Sequence, residues 1–508
     1  MKIDQLKAGV VLTYMSTFLT MLISFAYTPV MISILGQGEY GLYTLVNSVV
    51  ANLGILSFGF RSGYIRFYSR YKVKDDKEDI ARLNGMFMCV FTVIAIITLI
   101  AGGFLVANVE TIFKEGLTAQ EIKTAIVLMK ILVVNIAISF PASVFTCFVT
   151  ANEKYIFLKF TNMIKVVFSP LMNLPILLLG YGSIGMVFTT LIVNLIADVI
   201  NIYYCFKKIG MKISFKKLDF SLLKEIWAFS SLIFLNIITE QVNWNVDKTL
   251  LGMFKGSVTV AIYGIAAQFN NLYLNISNSL SHVFIPRINN IVASDKGNHL
   301  LTNLFTKVGR IQFIILALVL EMYFFFGKYF ITIWAGPEFA DSFLVGAVLL
   351  TCVTVPSIQN LGIEIQRAKN IHKFGTLVYF YIALANIVVS IPLCKYYGAL
   401  GAAFGTAGSL IVGNIIIMNI YYHKKVGIDI IDFWKKILSL FPSFIIPTVY
   451  GIFVNRFFVI TNIFEFITQA FIMFVLYSIS VFLFGMNEFE KNIILVPLNK
   501  ILKKKVKK

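Results

Sequence analysis

Apolar residues run through this chain in long blocks. They are interrupted by short polar stretches rather than alternating with charges. A bilayer-spanning helix needs about 20 mostly apolar residues. Blocks of that length lie near 8–34, 41–66, 83–107, 122–150, 155–179, 183–206, 223–251, 258–286, 301–327, 342–366, 374–394, 399–423, 436–455 and 462–485. The pattern predicts an all-α polytopic membrane protein with about fourteen transmembrane helices.

Composition agrees with that reading. Of the 508 residues 58% are hydrophobic and 14% charged, where a soluble domain carries roughly 25% charge. The five cysteines fall in or beside apolar blocks without close pairing, so they read as small hydrophobes. The first apolar block is too long for a signal peptide and lacks a small-residue cleavage site, so it is expected to stay as the first helix. The net charge of +19 raises the question of nucleic acid, and the distribution of charge answers it. With the N-terminus placed inside, 33 Lys and Arg fall in the loops on that side and five in the loops opposite. This is the positive-inside pattern. It puts both termini in the cytoplasm, gives the basic tail an anionic lipid surface as its partner, and leaves no role for nucleic acid.

The chain also repeats itself. "GYGSIGMVFTT" from Gly180 is echoed by "YYGALGAAFGT" from Tyr396, and "NIYYCFKKIG" from Asn201 by "NIYYHKKVG" from Asn419. Leu6-Lys7 aligns with Leu223-Lys224 at a similar offset of about 217. The domains expected are therefore an N-lobe of six helices over 1–210, a duplicate C-lobe over 218–427, and two added helices with a basic tail over 428–508. Duplicated lobes of parallel topology suit alternating access around a site near mid-membrane.

Polar residues mark where that site lies. On the seventh block Asn236, Glu240, Asn243 and Asp247 recur at helical spacing, and on the eighth Gln268, Asn271, Asn275, Asn278 and His282 do the same. The second block carries Asn47, Gly54 and Arg61 seven apart, then Arg66. Steps of three and four keep residues on one helix face. Interhelical packing accounts for single amides, but several long stripes predict a water-filled cavity. A charge at bilayer depth costs at least about 2.5–3.5 kcal/mol and faces a cavity or a partner, which singles out Arg61 and, with more freedom to reach the surface, Arg66. Lys248 stands beside Asp247, and Arg287 follows Pro286 at the cytoplasmic mouth. Glu240 lies deep in its block without an opposite charge in the same helix, and with Asp247 is a candidate for carrying a coupling ion. Lys165 sits two turns into its block, near enough to the surface to snorkel. Asp198 and Glu321 lie nearer helix ends and read as structural. Guanidinium groups bind phosphate bidentately, while amides and hydroxyls suit sugars. Together they fit an anionic, phosphate-bearing glycolipid.

Three stretches carry a family resemblance: "LKAGVVLTYMSTFLTMLISFAYTPVMISILGQGEYGLYTLV" from Leu6, "GFRSGYIRFYSRY" from Gly59, and "NVDKTLLGMF" with "AIYGIAAQFN" from Asn245. They resemble Wzx-type polysaccharide-unit flippases of the multidrug/oligosaccharidyl-lipid/polysaccharide exporter superfamily, and the likeness runs the length of the chain. The resemblance implies a bacterial cytoplasmic-membrane transporter, not an enzyme. Its cargo would be undecaprenyl-diphosphate-linked oligosaccharide repeat units, and its neighbours a polysaccharide polymerase and glycosyltransferases. It implies no cofactor beyond a coupling ion, H⁺ or Na⁺. Two alternatives stay open: a lipid II flippase, which shares fourteen helices and a cationic cavity, and a multidrug antiporter, which calls for acids rather than arginines facing its cargo.

Overall fold

The computed structural model describes residues 5–74, 76–216, 221–294, 297–493 and 495–496, with the backbone alone at 5–11 and at Leu232. The end of the predicted basic tail, from 497 on, lies outside the described residues. Within them the chain is helical, with no strand.

Among the described residues ten helical runs are long and apolar enough to cross a membrane, or eleven when Ser221–Ser231 and Ile233–Phe254, bent by 50°, count as one span. These lengths do not establish the expected fourteen. Two of the ten far exceed a bilayer's need: Leu12–Val73 with 62 residues and His372–Val426 with 55. Each contains a glycine with non-helical dihedrals, Gly36 (φ 73°, ψ 170°) and Gly398 (φ 60°, ψ −135°), where two helices meet at a kink. The helix Ser257–His282 is 26 residues long and falls outside the ten; its polar stripe dilutes its apolar content.

The chain packs as two units. The first comprises Met1–Gly264 with Tyr379–Thr406, the second Ile265–Val378 with Ala407–Lys508. The first contains α1 (Gln5–Ala51), α2 (Phe60–Val73), α3 (Lys77–Ala107), α4 (Ala119–Ala151), α5 (Tyr155–Leu178), α6 (Gly182–Tyr204), α7 (Ser221–Gln241) and α8 (Asp247–Phe254). Its core is aromatic, with Tyr64, Phe67, Phe87, Phe91, Phe140 and Phe148 all nearly inaccessible.

The second predicted span is not one helix. After α1 the chain forms a 3₁₀ segment, Asn52–Ser57, then turns through Phe58 (φ 48°) and Gly59 (φ 72°) before α2 begins. Gly59 is required twice over. Its dihedrals are left-handed, and a Cβ there would lie 2.7 Å from Ile233 Cγ2. The Phe58 ring packs on Phe234 and Trp227 of α7, at centroid distances of 4.7 and 5.1 Å, which fixes the break. Arg61 therefore stands in the first turn of α2, not deep in a continuous span.

The repeated motifs end alike. Cys205–Ile209 and Tyr422–Val426 are both single π-turns, closed by Gly210 (φ 81°) and Gly427 (φ 78°) in the left-handed region. The next amides donate back across each turn, Met211 N–H to Cys205 O at 2.9 Å and Ile428 N–H to Tyr422 O at 3.0 Å.

In the second unit, α9 (Asn298–Trp334) receives the C-terminal helices. Phe326 forms a small core with Val454 and Met473. Arg310, within the predicted block 301–327, is inside α9 and 5% exposed. Its Nε donates to Glu490 Oε1 at 2.6 Å, and its Nη2 to Glu490 Oε2 at 3.0 Å and Gly485 O at 2.9 Å. Its Nη1 donates to Ser439 Oγ at 3.0 Å and to the Lys436 carbonyl. All five guanidinium N–H groups are thereby used, and the arginine ties both ends of the C-terminal helical pair to α9. Breaking such a pair on one side leaves a buried charge uncompensated, at a cost of about 3–5 kcal/mol. Arg310→Ala should therefore lower the melting temperature of the detergent-solubilised protein. The paired replacement Arg310→Met/Glu490→Met should recover much of the loss. A single variant as stable as the parent would show that the clamp holds nothing.

Candidate functional site

Within the first unit, α1, α2, α4, α5 and α6 enclose a cavity of about 420 Å³. Each helix supplies polar side chains at helical spacing. From α4 come Asn135, Ser139, Ser143 and Thr146; from α5 Thr161, Asn162 and Lys165; from α6 Asn194, Asp198 and Asn201. Steps of three and four put each set on one face. Asn47 of α1 and Arg61 of α2 complete the polar lining, and the apolar positions between them are small or aliphatic, with no aromatic ring.

Three charges meet here. Lys165 Nζ lies 3.5 Å from Asp198 Oδ1, with the two side chains 29% and 17% exposed. Arg61 is close enough to act electrostatically on Asp198, and the cavity carries a surplus of one positive charge. The hydroxyls are largely committed to their own helices, Ser139 Oγ donating to Ile136 O at 2.7 Å and Ser143 Oγ to Phe140 O at 2.6 Å. Asn47 Nδ2 likewise donates to Tyr43 O at 2.8 Å, and Asn194 Nδ2 to Asn135 Oδ1 at 3.3 Å. Asn201 differs. It is 6% exposed and its Oδ1 is buried without a hydrogen-bond partner, an arrangement that costs free energy unless a ligand or water completes it.

The predicted residues divide accordingly. Asn47 and Arg61 line this cavity, although the helix carrying them is broken between the two. Arg66 does not. Five residues on, it points about 140° round α2 from Arg61, and its guanidinium lies 4.4 Å from the Phe229 ring centre. Lys248 sits half-buried on α8, outside this lining. Arg287 lines a different recess, within the second unit, with Asn290, Asn303 and Lys307. The amides of the eighth block occupy the open side of the helix Ser257–His282: Asn271, Asn275 and Asn278 are exposed and Gln268 half-buried. Asn278 Oδ1 accepts from Asn360 Nδ2 at 3.1 Å. Lys165 and Asp198, read as a snorkelling lysine and a structural acid, are instead partners in the cavity. The signal that would have found them is the same spacing on α6 that marked the other stripes.

The seventh block also departs from expectation. A π-turn, Val242–Val246, separates α7 from α8. The extra residue of a π-turn rotates everything after it by about 100°, so the stripe Asn236, Glu240, Asn243, Asp247 does not share one face. Asn236 and Asn243 are half-buried and Glu240, expected to be deepest, is exposed. Asp247 is 1% exposed, and its Oδ2 accepts from Tyr263 Oη and Thr406 Oγ1, both at 2.7 Å. Asn386 Nδ2 reaches Thr406 Oγ1 at 3.4 Å and Ser390 Oγ donates to Asn386 Oδ1 at 3.0 Å. A carboxyl group at the centre of amides and hydroxyls can hold a proton or a small cation.

Known proteins bear on this arrangement in three ways. The chain is 22% identical over 437 residues to the uncharacterized membrane protein EpsK of Bacillus subtilis (strain 168), covering 83% of this chain and 84% of that one. Its fold matches the lipid II flippase MurJ in an inward closed conformation with a TM-score of 0.73 at 16% identity, over 93% of this chain and 98% of that one. It also matches an inward-facing multidrug resistance MATE family transporter of the MOP superfamily with a TM-score of 0.65 at 13% identity, over 82% of this chain and 96% of that one. The fold is thus one that this chain shares with both of these membrane transporters. The model of the family described as polysaccharide biosynthesis protein matches residues 6–292, more than half of the chain, and this multi-pass membrane protein belongs to that family.

Proposed function

We propose that this protein is a flippase for undecaprenyl-diphosphate-linked oligosaccharide units, moving them across the bacterial cytoplasmic membrane for assembly into a surface polysaccharide. The observation that carries the reading is the placement of Arg61 in a polar cavity with a surplus positive charge and five asparagines. A guanidinium offers a planar fork of donors to a diphosphate. Carboxamides, both donors and acceptors, match the hydroxyls of a sugar. The polysaccharide family and the lipid-flippase fold support a lipid-linked glycan as the cargo class. Both termini would lie in the cytoplasm, by the charge asymmetry of the loops. A polymerase and glycosyltransferases would be its neighbours in the pathway.

The same cavity weighs against a multidrug exporter. A cavity lined by two cations and one acid repels a cationic drug rather than attracting it. A lipid II flippase fits the charge equally well, and the family described as polysaccharide biosynthesis favours the oligosaccharide reading over it.

Ion coupling, where present, belongs to Asp247 rather than Glu240. A coupling ion must be sheltered from solvent in one state, and Asp247 is enclosed by hydroxyls and amides while Glu240 is exposed. H⁺ and Na⁺ both suit that cluster.

The first test is mass spectrometry of undecaprenyl-linked glycans in a strain depleted of the protein, with leaflet-restricted labelling. One complete repeat unit should accumulate on the cytoplasmic face. Accumulation of a peptidoglycan precursor instead would select the lipid II reading, and new sensitivity to cationic dyes without accumulation the drug-export one. Hydrogen bonds to charged groups are worth about 1.5–3 kcal/mol, so Arg61→Ala should slow flipping about ten- to a hundredfold at an unchanged level of protein in the membrane. Undiminished flipping in that variant would sink the assignment of Arg61. For coupling, Asp247→Asn should make flipping in vesicles indifferent to imposed proton and sodium gradients, whereas Glu240→Gln should keep the parent's response. The opposite result would return the role to Glu240.

A further inference from the structure

The Lys165–Asp198 pair has no place in the recognition described so far. Its geometry gives it one. Arg61, exposed at the cavity, and Lys165, half-buried in it, bring two positive charges to one place, and their mutual repulsion costs free energy unless an acid offsets it. Asp198 supplies the compensation. It sits 3.5 Å from Lys165 and within electrostatic reach of Arg61, on the same α6 face as Asn194 and Asn201. The pair is neither fully buried nor tightly bonded: at 3.5 Å, with 29% and 17% of the side chains exposed, it lacks the short bidentate geometry of Arg310–Glu490 elsewhere in the chain. The adjacent Asn201 Oδ1 is buried and unpartnered, which leaves an acceptor at this end of the cavity for a hydrogen-bond donor to use.

We infer that Asp198 is a built-in competitor for the anionic group of the cargo, holding Lys165 while the cavity is empty and yielding it when a diphosphate arrives. The inference rests on the reading that the cargo's diphosphate is received at Arg61. An entering diphosphate adds negative charge next to Asp198, so ligand and carboxylate contend for the same two cations. As the ligand takes Lys165, the carboxylate loses its partner, and part of the binding energy is offset. A transporter needs that offset, since a site that binds without a competing interaction holds its cargo and turns over slowly. The same logic governs conduction, where binding must be strong enough for entry and weak enough for exit.

Competition predicts effects of opposite sign from the two halves of one ion pair, which a structural role does not. The test is calorimetric titration of the purified full-length protein in nanodiscs with inorganic pyrophosphate and, separately, geranyl diphosphate. Asp198→Asn should bind both about three- to tenfold more tightly than the parent, and Lys165→Gln more weakly by a similar factor. In the Lys165→Gln background, Asp198→Asn should tighten binding less than it does alone, because the contested cation is gone. Reconstituted flipping by Asp198→Asn should be slower despite tighter binding. Should the Asn variant fail to reach the membrane, Asp198→Ser carries the same expectation. Equal or weaker binding by both Asp198 variants, with Arg61→Ala still weaker than the parent, would overturn the competitor while leaving the diphosphate reading intact. A parent that binds neither probe better than Arg61→Ala would overturn both. Tightening for geranyl diphosphate but not pyrophosphate would also overturn it, because the contest is for the diphosphate and not for the prenyl chain.

Discussion

A charge or amide in a hydrocarbon environment is tolerated only with a partner, and each functional element of this molecule follows from how that demand is met. The chain meets it in three ways. Arg310 is saturated: all five N–H groups find acceptors, every one of them on the C-terminal segments, and the result is a fixed joint. Asp247 is enclosed: hydroxyls of Tyr263 and Thr406 satisfy one oxygen while the acid keeps the capacity to exchange a proton or cation. Arg61, Lys165 and Asp198 are compensated only in part and are not locked. The degree of satisfaction, rather than the kind of residue, separates structural charges from exchangeable ones.

Backbone irregularities decide which side chains can take part. Left-handed dihedrals at Phe58 and Gly59 end one helix and start another, and that restart delivers Arg61 to the cavity from the first turn of α2. The positive end of a helix then adds to the field of the guanidinium rather than opposing it. The π-turn at Val242–Val246 does the converse for the seventh block. By rotating α8 it turns Asp247 inward among hydroxyls and leaves Glu240 on the open side. Two carboxylates seven residues apart, on one face of a regular helix, become one enclosed acid and one exposed one.

These irregularities also mark where the sequence was legible and where it was not. Hydropathy located the helices well, because burial of apolar length is additive along the chain; α5 and α6 fall within a few residues of the predicted 155–179 and 183–206. Two of the echoed motifs share a local detail that the sequence does not spell out, since Gly210 and Gly427 close π-turns with matching dihedrals. Arg61 was legible from the cost of its charge. Asp198 and Lys165 were misread because each was judged against its own helix, while the compensating partner lies on another. The role of Arg310 was not legible, because its partner Glu490 is 180 residues away in sequence and meets it only in the fold. The break at Gly59 had a visible glycine, but no periodicity in "SFGFRSG" distinguishes a restart from a continuous span.

Comparing the two ion pairs carries the argument one step further. Arg310–Glu490 has short, paired contacts and almost no exposure, so separating it costs the full desolvation of both charges. Lys165–Asp198 has one longer contact, partial exposure and a second cation nearby, so its members can change partners at much lower cost. On the proposed reading, a flippase that must hold its C-terminal helices throughout its cycle and yet release an anionic cargo once per cycle needs one pair of each kind. The difference between them is set by geometry: a planar guanidinium that can be saturated builds the joint, and a lysine that keeps free donors builds the exchange.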